Sequence, residues 1–245
     1  MVVRNLLVRG MLAGLVAGLA GFLFARLVGE PALDGGIAFE DAMAHAAGAH
    51  EHEELVSRGV QANAGLGVAY VVYGVAIGGI VALVVAGARG RLGPAGSRAT
   101  AVVVTLLGFV SAVLLPLLKY PANPPASTED ETIGSRTGLF LVFVAISVAL
   151  VVVAVVVARR LAVTLGWWNA GVAAGAGYVV LLLVVGALMP AVAETPGDFP
   201  ATVLYDFRIA ALGAQAVVWG VLAVVLGALV HERRSAPAGD RTAVG

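Results

Sequence analysis

The sequence predicts an all-α, polytopic integral membrane protein, a bundle of six transmembrane helices with both termini cytoplasmic and a long acidic first outer loop. Three observations lead there. Of the 245 residues, 60% are hydrophobic and 12% charged, against about 45–50% apolar and about 25% charged in ordinary soluble domains. The charges are confined to short segments, leaving six long apolar stretches, and a spanning helix needs about 20 such residues. Strict period-2 alternation, the mark of a transmembrane barrel, is absent.

The spans fall at about 5–28, 62–88, 99–118, 137–158, 167–190 and 208–230, within one transmembrane domain over 1–235. Residues 29–58 form the acidic, histidine-bearing outer loop, and 236–245 a disordered cytoplasmic tail. The first stretch follows Arg4 and contains Arg9, as at the start of a signal peptide. It is long, however, and ends in Gly29-Glu30-Pro31 without a nearby small-x-small cleavage site, so it is read as a retained span. Its Gly10, Gly14 and Gly18, spaced by four, let a second helix approach closely, and Gly74 and Gly78 in the second span and Gly171 and Gly175 in the fifth repeat the spacing.

The third span ends at Lys119, the sole lysine, followed by Tyr120 and a turn fixed by Pro121, Pro124 and Pro125. A rigid feature presenting Lys119, Tyr120 and Asn123 follows, with Lys119 expected to pair with Glu30; the plainer reading is an interfacial anchor. The fourth span opens after Arg136 and the sixth after Arg208. In the sixth, Gln215 lies one turn before Trp219, placed to hydrogen-bond a neighbouring helix or to line a path. No Asp, Glu or His stands at mid-span, where proton and ion relays usually show them. That argues against an ion-coupled pump acting alone.

An internal repeat is also visible. Ala-Val-Leu-Leu-Pro116, followed by Pro121 and Pro124-Pro125-Ala126, resembles Gly-Ala-Leu-Met-Pro190, followed by Pro196 and Phe199-Pro200-Ala201. Spans 2–3 and 4–5 then read as parallel two-helix repeats, flanked by spans 1 and 6.

Orientation follows from the basic residues. With the N-terminus cytoplasmic, the inner segments hold ten basic and two acidic residues, a balance of +8, and the outer ones five basic and thirteen acidic, a balance of −8. The chain's formal neutrality therefore hides a strong asymmetry, and the acidic outer loops are the expected working surface.

The first outer loop carries Asp41, His45, His50, His52 and Glu54. Imidazole and carboxylate suit divalent cobalt, nickel or zinc, and with no cysteine no thiolate is available. On a helix, Asp41 with His45 and His50 with Glu54 are i,i+4 pairs able to share an ion; the plainer reading is a solvated acidic face. Phosphate loops, zinc-protease and nucleophile-elbow motifs are missing, so no enzyme is expected. No basic patch or aromatic platform points to nucleic acid.

Several pieces resemble one known family. The glycine-stepped first span leads into Gly29-Glu30-Pro31; Lys119-Tyr-Pro-Ala-Asn-Pro-Pro125 follows the third; Arg136-Thr137 opens the fourth; Phe207-Arg208 leads to Gln215 and Trp219. Together they resemble the CbtA family of cobalt transporter subunits, with Lys-Tyr-Pro-Ala-Asn-Pro-Pro the most specific piece. The resemblance implies a multi-pass protein of the bacterial cytoplasmic membrane that takes up divalent cobalt as substrate, without a permanently bound cofactor. It also implies a small single-span, histidine-rich membrane partner. The alternative is a non-transporting scaffold or metal-delivery partner whose loops bind metal or another subunit but which opens no path.

Overall fold

Six separate spans were expected; five continuous helices are long and apolar enough to cross a membrane in the computed structural model, which describes residues 3–46, 48 and 57–230. They are α1 (Val3–Ala46), α2 (Arg58–Ala88), α3 (Ser97–Lys119), α4 (Ile133–Leu188) and α5 (Ala201–Leu229). No strand occurs among the described residues.

The difference in number lies in α4, whose 56 residues contain both the expected fourth and fifth spans. Its helical geometry is broken only at Gly166, where φ is 72° and ψ is 161°, a backbone region essentially restricted to glycine. The chain folds back there. Ser147 and Tyr178, 31 residues apart, hydrogen-bond through their hydroxyls at 2.8 Å, whereas a straight helix would separate them by about 46 Å. α4 is thus two antiparallel arms. The intervening Arg159-Arg160-Leu-Ala-Val-Thr-Leu165 contains no proline or turn residue, so helix persists to the break.

A second difference concerns the expected first outer loop. The helix runs through Gly29-Glu30-Pro31 and continues to Ala46. Pro31 has no N–H and its ring crowds the preceding turn. A wider π-turn, Ala25–Gly29, precedes it, with the Glu30 N–H bonded to the Ala25 carbonyl. α3 solves the same problem alike: a π-turn at Val110–Leu114, with the Leu115 N–H on the Val110 carbonyl, ends two residues before Pro116. Such one-turn expansions let a helix absorb a proline with a bend rather than a break.

The core joins α1, α2, α3 and α5. Leu6, Ala13 and Ala17 of α1 meet Val81, Ala82 and Val85 of α2, Ala101 and Val104 of α3, and Val218, Leu222 and Leu226 of α5. α1 and α2 run antiparallel at backbone contact, with Gly10 against Gly78, Gly14 against Gly74 and Gly18 against Tyr70; a Cβ on any of the three would overlap the facing carbonyl. Close approach supplies the dispersion contacts that replace hydrophobic burial as the driving force within lipid. On Gly171 and Gly175 of α4, by contrast, a Cβ would meet no atom within 4 Å. The same spacing there serves no helix contact among the described residues.

α4 joins the bundle chiefly at the far end of α3, through a smaller cluster of Tyr120, Phe143, Tyr178 and Leu182. Its outward side chains, Leu141, Val152, Val153 and Leu183 among them, are exposed, a surface suited to acyl chains. At the end where α4 folds back, Trp167 lies against Gly93 of the α2–α3 connection. The same end carries Arg9 and Arg98, which donate to the Leu229 and Gly227 carbonyls at 2.8 and 3.1 Å. Both carbonyls belong to the last turn of α5, so the arginines meet the negative end of the helix dipole.

Candidate functional site

At the opposite end the α3–α4 and α4–α5 connections come together with the extension of α1. Their shape starts with Pro121, Pro124 and Pro125, which keep the chain after α3 out of helix. Ser127 closes a turn onto Pro124, its N–H at 3.3 Å and its hydroxyl at 2.6 Å from the Pro124 carbonyl. Pro124 and Ser127 are fully buried beneath the extension of α1, where Gly36 leaves room for the proline rings. Further along, Phe39 packs edge-on against Phe199 with ring centres 4.9 Å apart.

Lys119 and Tyr120 are fastened to the end of α4. Lys119 donates to the Met189 carbonyl at 3.3 Å, and its ammonium stands 5.5 Å from the Tyr120 ring centre. The Tyr120 hydroxyl donates to the Pro190 carbonyl at 2.8 Å. Burial raises the Tyr120 pKa above its ordinary value, which keeps the phenol a donor. The two Pro-ending helices expected as repeats therefore meet here. They differ in that α3 passes Pro116 and runs on to Lys119, whereas α4 stops at Leu188, before Pro190.

Three arginines, each near the start of a helix, reach across to a different part of the chain. Arg58 of α2 pairs with Glu30 of α1 at 2.7 Å and with Asp34 at 3.3 Å. Arg136 of α4 stands 3.4 Å from Glu194, beyond α4, and donates to the Glu129 carbonyl at 3.1 Å. Arg208 of α5 places Nε and Nη2 on Asn123 Oδ1 at 3.3 and 2.8 Å. Thr132 adds a 2.5 Å hydrogen bond to Glu194. The expected Glu30–Lys119 pair is corrected: Glu30, 7% exposed, is held by Arg58, and Lys119 by carbonyl and ring.

Lys119, Tyr120, Pro121, Asn123, Arg136 and Arg208, all singled out in the sequence, line one cavity of about 280 Å³. Thr137, beside Arg136 in the family-like piece, also lines it, as do Glu194, Phe140 and Thr195, which were not foreseen; the sole signal for Glu194 was its place just after Pro190. Pro124 supports the cavity from below without lining it. Glu30 opens on a separate cavity of about 200 Å³, beside the Ala25–Gly29 π-turn, Tyr70 and Phe207.

Gln215 and Trp219 lie deeper, in neither cavity. Tyr73 donates to Gln215 Oε1 at 2.8 Å and accepts from the Trp219 indole at 3.3 Å. Of the two readings given to Gln215, the interhelical hydrogen bond is the one present. Asp41 and His45 stand on the exposed end of α1, where His45 Nδ1 lies 2.7 Å from the Asp41 carbonyl oxygen. Among the described residues no group of three or more His, Asp or Glu is arranged to hold a metal. His50, His52 and Glu54 lie outside the described residues, as does the tail at 236–245.

Compared with known proteins, residues 3–231 match the family model described as "Probable cobalt transporter subunit (CbtA)". No curated protein and no solved structure matches.

Proposed function

The chain belongs to the CbtA family, cobalt transporter subunits that are multi-pass membrane proteins, and from that premise we propose that it is the membrane subunit through which divalent cobalt enters the bacterial cell. α4 then crosses the cytoplasmic membrane twice, giving six crossings with both termini inside. The end bearing Arg9, Arg98 and the Gly166 fold-back faces the cytoplasm, in keeping with the positive-inside rule, and the acidic end faces out.

One observation carries this reading. Of the family-like pieces, Lys119, Tyr120, Pro121, Asn123, Arg136 and Arg208, separated in sequence by up to 89 positions, line a single cavity at the acidic end. Thirteen of the fifteen carboxylates belong to the outer segments on this orientation, and such a surface raises the local concentration of divalent cations within about a Debye length, roughly 8 Å. Asp41, His45, His50, His52 and Glu54 belong to that cation-gathering surface, and Glu30 with Asp34 to its innermost carboxylates.

A small single-span, histidine-rich membrane protein is the partner of this proposal. Its need has a structural motive: Tyr73, Gln215 and Trp219 hydrogen-bond one another at mid-bundle, so among the described residues these deep polar groups do not stand unpaired along a path. The same observation favours the second reading, a scaffold that delivers metal without opening a path. Labelled-cobalt uptake is the test. Cells expressing the chain with its partner should accumulate more metal than cells lacking the chain; equal accumulation overturns transport. Uptake into vesicles holding this protein alone would exclude the scaffold reading.

A further inference from the structure

The cavity at the acidic end has the opposite sign to the surface around it. Lys119, Arg136 and Arg208 contribute three positive charges and Glu194 one negative, a balance of +2 within an outer face of −8. A bare divalent cation is repelled by such a lining. Glu194 faces only Arg136 at ion-pair distance, and among the described residues neither Lys119 nor Arg208 has a carboxylate partner.

The donors are only partly engaged. Lys119 gives one hydrogen bond, to Met189, and keeps two protons. Arg208 spends Nε and Nη2 on Asn123, leaving Nη1 without a partner among the described residues. Arg136 is the most engaged of the three: its buried Nε makes no hydrogen bond but faces Glu194 Oε2 at 3.4 Å, and its Nη2 donates to the Glu129 carbonyl. Asn123, fixed through its oxygen, keeps both amide protons. Guanidinium forks and an ammonium around a polar hollow recognise planar or tetrahedral oxyanions, and a volume near 280 Å³ lies at the small end of ligand pockets, which run from about 300 Å³.

We propose that this cavity takes a small soluble oxyanion of the di- or tricarboxylate class. On the cobalt-uptake reading, on which only this clause rests, the anion is the chelator in whose company the metal is presented. Lys119, Arg136 and Arg208 hold its carboxylates, and Asn123 sets the Arg208 plane.

The test uses the full chain purified in a phosphate-free maltoside detergent, with labelled citrate as probe and no metal present. Saturable binding of one citrate is expected, weakened about tenfold or more in Arg208→Gln and in Lys119→Gln, and unchanged in Arg160→Gln at the other end. Two variants are used so that a folding failure in one, seen as an altered size-exclusion profile, leaves the other to decide. Absence of saturable binding, or equal affinity in the folded variants and the wild type, overturns the proposal. So does citrate binding that vanishes in phosphatidylglycerol nanodiscs, since a lipid phosphate would then be the occupant. Because no metal enters this assay, its outcome stands apart from cobalt uptake. Cells that take up labelled cobalt equally with and without the protein refute the uptake reading alone.

Discussion

Adding one methyl group to Gly14 should destabilise the protein, while the same change at Gly171 should stabilise it. At Gly14 a Cβ overlaps the Gly74 carbonyl oxygen and lies 2.7 Å from the carbonyl carbon and 3.1 Å from Gly78 Cα. All three are backbone atoms, so relief requires α1 and α2 to separate rather than a side chain to rotate. Overpacking of this kind costs about 1–3 kcal/mol. At Gly171 nothing lies within 4 Å and the backbone is helical, so Gly171→Ala gains about 0.4–1 kcal/mol by narrowing the unfolded ensemble. The two variants should therefore differ by about 1.4–4 kcal/mol. For a chain of this length that is about 3–16 °C in Tm, at about 2–4 °C per kcal/mol. Thermal unfolding in one detergent, followed by tryptophan fluorescence, reads the difference. If Gly14→Ala melts at or above Gly171→Ala, the backbone contact between α1 and α2 is not what holds these helices.

Other substitutions test other contacts. Gly166→Ala should lower stability by about 1–3 kcal/mol despite open space around it, because its φ of 72° with ψ of 161° excludes a Cβ-bearing residue; a Tm equal to wild type would mean that the fold-back does not depend on this backbone. Glu30→Gln should cost about 1.5–3 kcal/mol, the range for a hydrogen bond to a charged group, and Arg58→Gln added to it should cost clearly less than the sum of the two single variants. Strict additivity in chemical unfolding would deny the 2.7 Å pair a role. Tyr73→Phe should cost about 0.6–1.5 kcal/mol and shift the emission of Trp219, whose indole loses its acceptor; unchanged emission would count against the buried triad.

The physics of single helices was the most legible part of the sequence. Long apolar runs placed α2 and α3 within four residues at either end, whereas α5 begins seven residues before the expected 208, and the Gly10-Gly14-Gly18 row marked a face for close helix approach because spacing by four places small residues together. What escaped depends on partners distant in the chain. Gly171 and Gly175 carry the same pattern yet meet nothing, since a row of glycines does not say whether another helix lies opposite. Pro31 reads as a stop, but the π-turn before it lets α1 continue. Gly166 looks like any helix glycine until its φ is seen.

The site was legible as a set of residues and not as an arrangement. Lys119, Tyr120, Asn123, Arg136 and Arg208 stood out separately, and nothing in their spacing said that they line one cavity. Arg58, Arg136 and Arg208 each follow acidic residues in the sequence, yet Arg136 takes Glu194, Arg208 takes Asn123 and Arg58 takes Glu30. Nearby carboxylates cannot name the partner of a helix that begins beside segments distant in the chain. Arg9 and Arg98 likewise read only as positive-inside charge, whereas they also cap the last carbonyls of α5.

The π-turn at Ala25–Gly29 has a consequence for the phase of α1. An α-helix advances about 100° per residue, and a π-turn carries one residue more than the α-turn it replaces. Everything beyond it, Glu30 included, is rotated by about that angle relative to an unbroken helix grown from Val3. The two stretches of α1 thus aim their faces independently, the glycine row at α2 within the bundle and Glu30 at Arg58. Deleting one residue from this turn would restore regular helix and swing Glu30 about a quarter-turn away from its counter-ion, while leaving the composition of the helix almost untouched.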